Sequence, residues 1–198
     1  MINIDYPNIL NLIKDHIDPK RTESASYLIW YLENYYRLDA QEAVDAVCDQ
    51  SGDKGVDGIY LNEANGTIDV FQAKISQRTG RTVGDSSLKE FFGTLSQFDS
   101  KTSIQNIIDT GGTAQVVGLI KRLKLIENFD QYKVRGIFIS NVEVDANGVA
   151  YLAVTPSIEI PAISRPVTPT LPSFSQSANV INVTINNNYA GASDEQEE

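Results

Sequence analysis

Apolar residues recur at close to helical spacing over residues 22–38, TESASYLIWYLENYYRL, behind a threonine suited to capping; this pattern predicts a long, well-buried helix. DAQEAVDAVCDQ, residues 39–50, predicts a short second helix. The period then shortens. VDGIYL and TIDVFQAKI read as two antiparallel strands joined by NEANG, whose Asn65-Gly66 pair is a strong hairpin signal. DSSLKEFFGTLSQF, residues 85–98, opens with cap-type residues and resumes helical spacing, so a helix follows the second strand; AQVVGLIKRLKLI, residues 114–126, predicts another. VRGIFIS, residues 134–140, is an unbroken apolar run expected to form a buried strand, and GVAYLAV, residues 148–154, predicts a further strand. This alternation of strands and helices predicts an α/β protein.

The pattern breaks at Pro156. Five of the seven prolines lie between Pro156 and Pro172, and charged residues almost vanish before Asp194, which divides the chain into a folded domain, 1–155, and an arm, 156–198. Within the arm, NVINVTINNNY alternates apolar and polar residues. It reads either as a strand suited to a partner's sheet edge, making the arm a route to a homo-oligomer or a complex subunit, or as a polar tail.

With 198 residues, 41% of them hydrophobic, the chain suits one ordinary core. It carries no apolar run of about eighteen residues and no secretory signal, so a soluble, cytoplasmic protein with no membrane association is expected. One cysteine, Cys48, and one histidine, His16, exclude an internal disulfide and a Cys/His zinc set, and neither is expected to act chemically. A metal would need oxygen ligands, which suits magnesium or manganese. The net charge of −10 opposes general attraction to nucleic acid. Locally the balance reverses: no acid stands between Asp69 and Asp85, where Lys74, Arg78 and Arg81 fall, and a second basic stretch runs from Lys121 to Arg135.

The chemistry-bearing residues cluster in GVDGIYLNEANGTIDVFQAK, from Gly55 to Lys74. Asp57 enters the first hairpin strand on a Gly-flanked turn, and Gln72 and Lys74 lie two apart in the second, so they share a face while Phe71 and Ala73 point to packing helices. A divalent cation held by Asp57, the Gln72 side-chain oxygen and the Ala73 carbonyl would bind a phosphodiester, with Lys74 orienting water or stabilising developing charge. Arg78, Arg81 and Lys89 follow Lys74 closely and read either as phosphate contacts or as solvated surface. Asp49 and Asp53 read as turn residues beside glycine. Asp69 falls on the packing parity, outside the site. Trp30, Tyr31, Tyr35 and Tyr36 read as helix packing rather than a base-stacking platform.

GDKGVDGIYL and VFQAK resemble the PD-(D/E)xK nuclease superfamily, specifically Mrr-like restriction endonucleases and the N-terminal domain of AIPR-type abortive-infection phage-resistance proteins, where Gln often replaces the second acid. VGDSSLKEFFGTLSQF, with Gly93, and VRGIFISNVEVDANGVAYL are similar to the helix and later strand of those domains, so the resemblance covers roughly residues 22–154. It implies a restriction-endonuclease-like core, a mixed sheet of about four to five strands flanked by helices. It further implies a Mg2+-dependent (or Mn2+-dependent) endonuclease acting on DNA, double-stranded by preference, in anti-phage defence. An acid on the first core helix completes the metal site in that family; Glu23 matches this position better than Glu33. The neutral Gln72 leaves one negative charge fewer for the ion. The alternative is a catalytically silent nuclease-fold module that binds nucleic acid or assembles a complex.

Overall fold

The computed structural model describes residues 3–49, 55–110 and 113–163, all within one compact unit, Met1–Pro166. Asp53 and the strand-like 179–189 stretch lie outside the described residues.

Among the described residues, four strands form one sheet in the order β1 (Gly58–Asn62), β2 (Thr67–Lys74), β3 (Lys133–Ser140), β4 (Ile158–Glu159). β1 and β2 pair antiparallel, with Gly58 opposite Phe71, whereas β3 runs parallel to β2 and β4 parallel to β3. The molecule is therefore α/β with a four-stranded mixed sheet flanked by helices. The hairpin closes over residues 63–66, where Gly66 stands at φ +65°, a conformation open to glycine without a Cβ clash.

Strict alternation along β2 divides the core into two layers. Ile68 and Val70, with Ile59, Phe138 and Ile158, face α4 (Asp85–Leu95), α5 (Lys101–Thr110), α6 (Ala114–Arg122) and α7 (Leu125–Asn128). Phe71 and Ala73, with Ile137 and Ile139, face α1 (Asn8–Leu12), α2 (Glu23–Tyr31) and α3 (Ala40–Asp45). Thr22 caps α2, its hydroxyl accepting the Ala25 N–H, and Asp49 holds the cap by accepting from both the Thr22 N–H and its hydroxyl. Asp49 thus anchors a helix rather than only shaping a turn.

Three expectations need correction. The helix expected over 22–38 ends as regular α-helix at Tyr31 and continues as a π-helical turn, Leu32–Tyr36, stopping at Arg37 with φ 61°. The i→i+5 turn sets Tyr36 near Tyr31, their ring centroids 5.8 Å apart. The helix expected over 114–126 breaks at Lys124, whose φ of 49° is left-handed. Residues 148–154 are no strand: Asp145 accepts the Gly148 N–H at 2.9 Å and caps α8 (Ala146–Ala153), which packs on α4. Ile158 and Glu159 supply the fourth strand, so the sheet draws on residues beyond the division inferred at 155/156.

The contact between β3 and α4 is tight. A Cβ on Gly136 would collide with Leu95 Cδ1 and lie 2.8 Å from Phe91 Cε1. Gly136→Ala is therefore expected to cost about 1–3 kcal/mol by overpacking; an unchanged urea midpoint would contradict this packing. No helix among the described residues is long and apolar enough to cross a membrane.

Candidate active site at the carboxyl ends of the parallel strands

Lys74 and Ser140 are the last register pair of β2 and β3. Open α/β sheets place ligands at this end of parallel strands, where the connections diverge. Two fastenings hold the rim. Buried Asn141 accepts the Ser76 N–H at 2.7 Å and donates to the Ser76 carbonyl at 3.0 Å, and Val83 pairs with Val144 in a parallel bridge. The loop after β2 is thereby bound to the loop after β3.

Asp57 stands one residue before β1. Its N–H donates to the Phe71 carbonyl at 2.9 Å, its carbonyl accepts the Cys48 N–H at 2.8 Å, and its carboxylate Oδ2 accepts the Ala73 N–H at 2.6 Å. The acid is therefore pinned to the backbone between Gln72 and Lys74. Continuing the alternation back from Leu61 and Ile59, which pack in the α4 layer, puts Asp57 on the same sheet face as Gln72 and Lys74. That face is not an open polar surface, since Ile68 and Val70 share it fully buried; only its carboxyl end is polar.

Gln72 is only 9% exposed, and its Oε1 accepts no hydrogen bond among the described residues. An unsatisfied buried oxygen costs about 1–3 kcal/mol, so this atom retains full capacity for a ligand. Gly55 packs against the nitrogen side of the same amide: at φ +81°, a Cβ there would lie 2.9 Å from Thr94 Oγ1 and 3.5 Å from Gln72 Nε2, which leaves room for glycine alone. Lys74 ends β2 with its side chain 41% exposed, its Nζ 3.8 Å from the Glu90 carboxylate and 5.7 Å from the Phe138 ring centroid. The Glu90 contact is missing from the sequence reading, and helix periodicity offers no signal for it.

Glu23 opens α2, and its carboxylate accepts from Gln77 Nε2 at 3.1 Å, which ties it to the loop after β2. Glu33, the weaker match, is instead 3.2 Å from His16 Nε2. Arg78 and Arg81 are exposed on the loop after β2 and form no ion pair among the described residues. Lys89 bonds Asp85 at 2.7 Å, and its ammonium lies 5.8 Å from the Tyr151 ring centroid, directed to α8. That hydrogen bond holds the Asp85 carboxyl below its ordinary range and the Lys89 ammonium above its own. The second basic stretch is partly engaged internally, Arg122 with Asp45 and Arg135 with Asp69 and Glu159.

No group of three or more His, Cys, Asp or Glu side chains positioned to hold a metal occurs among the described residues. A cation here would rest on Asp57 and neutral oxygens, and the unsatisfied Gln72 Oε1 fits that role.

The other end of β2 carries a buried ion-pair network. Asp69, fully buried, receives Arg135 Nε and Nη2 at 2.9 Å each, the Tyr36 hydroxyl at 2.7 Å and Asn62 Nδ2 at 3.4 Å. The sequence signal was an acid at a packing-side position of a central strand. Burial pushes the Tyr27, Tyr31 and Tyr36 hydroxyls above the ordinary value of 10.0. The folded values exceed the unfolded ones, so this contribution is complete below about pH 10 and lost as pH rises above it. The urea midpoint should fall across that window, less steeply in Tyr36→Phe; a flat midpoint would refute the burial.

These features define an α/β protein with a mixed four-stranded sheet and a polar cluster at the carboxyl end of its parallel pair. No family model, curated protein or solved structure matches the chain.

Proposed function

We propose that the protein is a metal-dependent endonuclease that hydrolyses phosphodiester bonds, with DNA as its substrate. The observation that supports this reading is the Asp57 carboxylate bonded to the Ala73 N–H, between Gln72, whose Oε1 accepts no hydrogen bond among the described residues, and Lys74, the last residue of β2. The resemblance of the GVDG and VFQAK segments to PD-(D/E)xK nucleases supports the same chemistry.

Asp57, Gln72 Oε1 and the Ala73 carbonyl would hold Mg2+ or Mn2+. When bound, the ion supplies Lewis-acid stabilisation of negative charge on phosphate oxygens. Asp57 is oriented for this by its bond to the Ala73 N–H. Lys74, restrained by Glu90 and the Phe138 ring, presents an ammonium to the developing charge of the phosphoryl group and orients the attacking water. Arg78 and Arg81 position the phosphate backbone from the adjoining loop. Glu23, through Gln77, is a positioning residue for that loop. A role in anti-phage defence rests on the resemblance alone.

The test is incubation of the purified chain with supercoiled plasmid and with RNA, in Mg2+, in Mn2+ and in chelator. Nicking or linearisation of plasmid dependent on either ion is expected. Stable DNA binding without cleavage in any metal would favour the silent nuclease-fold module instead.

A further inference from the structure

We propose that a second site, at the hairpin end of the sheet and on the α2 face, binds an organic cation: an alkylated ammonium or guanidinium group with diffuse positive charge. A pocket of about 660 Å³ opens there between the hairpin turn, the π-helical turn and β4. Its volume falls in the range of about 300–1,000 Å³ usual for small-ligand sites.

Four tyrosines, Tyr31, Tyr35, Tyr36 and Tyr60, line it together with Glu63 and Glu159. The Tyr31 and Tyr35 rings stack at 4.8 Å, while Tyr36 and Tyr60 meet at 5.6 Å and 89°, so the walls present aromatic rings in two orientations. Ring faces carry the negative part of the aromatic quadrupole and attract cations.

The charges agree with the rings. Arg135 lies in the lining but directs Nε and Nη2 to Asp69 and Nη1 to Glu159 at 2.8 Å, so two carboxylates surround one guanidinium. Glu63, exposed on the turn, adds a further negative charge. An anion would meet a net negative lining with its one cation already engaged. A neutral apolar ligand would desolvate the exposed Glu63 carboxylate without compensation, whereas an organic cation answers both the rings and the net negative charge. Asp69 and Lys74 are five strand residues apart, roughly 17 Å, so this pocket is separate from the Lys74 cluster.

The test is calorimetric titration of the full chain at low ionic strength with tetramethylammonium chloride, with Nα-acetyl-arginine amide as the peptide-borne source of the same charge, and with neopentyl alcohol as a neutral match. Saturable binding of at least one cation and none of the alcohol is expected. Trp30, the only tryptophan, meets Tyr35 edge-on at 5.9 Å, so its emission should change with the same titration curve. Glu63→Gln and Tyr60→Ala should each weaken binding about threefold or more, and Tyr60→Phe should retain it. Equal binding of the alcohol, no saturable heat with either cation, or unaltered affinity in the folded Glu63→Gln protein would overturn the proposal.

Discussion

Lys74→Ala is expected to lower plasmid cleavage by about 100-fold or more while leaving the fold nearly intact, because a preorganised charge facing a developing oxyanion contributes far more to rate than to stability. The stability side follows from geometry. The Lys74 side chain is 41% exposed, and that of its Glu90 partner, 3.8 Å away, is 75% exposed, so the pair contributes no more than about 1 kcal/mol. The Phe138 contact adds a similarly small amount. Cleavage rate and urea midpoint should therefore separate: a large fall in the first with a small shift in the second. If both fell together, Lys74 would be a structural residue. If neither moved, the proposed site would be wrong.

The largest stability effect belongs to Asp69→Ala. Removing this fully buried carboxylate takes away both 2.9 Å bonds to Arg135 and the 2.7 Å bond from Tyr36, leaving the guanidinium with Glu159 and a hydroxyl. Breaking a buried pair from one side costs about 3–5 kcal/mol, a large part of the roughly 5–15 kcal/mol that holds a domain folded. The thermal midpoint should fall by about 10 °C. The double variant Asp69→Ala, Arg135→Met should recover much of this, because no uncompensated charge remains. Glu159→Gln, at a side chain 52% exposed, should cost under about 1 kcal/mol. A small loss for Asp69→Ala would mean the network does not hold β2 to β3.

How far the fold was legible depended on whether local signals agreed with tertiary ones. β1, β2 and their turn were legible because alternation and Asn65-Gly66 point the same way, and β3 was legible because burial on both faces leaves an unbroken apolar run. α8 was misread: Val149, Tyr151 and Val154 suggest a strand, but the Asp145 cap and the packing on α4 decide the segment. α5 gave too weak a pattern, only Ile104 and Ile107 being buried among its ten residues. β4 was hidden because two residues carry no period. The parity of Gln72 and Lys74 could be read from spacing alone. The pinning of Asp57 by the Ala73 N–H and the approach of Glu90 to Lys74 could not, since both depend on how strand ends and a neighbouring helix come together. The same holds for Asp69, whose partner Arg135 lies 66 residues away.

That separation sets the timetable of the nascent chain. The β1–β2 hairpin is complete at Lys74, but the strand that covers its inner edge begins at Lys133. At about 5–20 residues per second, the 66 residues between Asp69 and Arg135 take about 3–13 s to synthesise. Throughout that interval the backbone of β2, later paired along its whole length, faces outward without its parallel neighbour. Neighbouring chains on one message would meet as unpaired edges, a hazard that slower elongation prolongs.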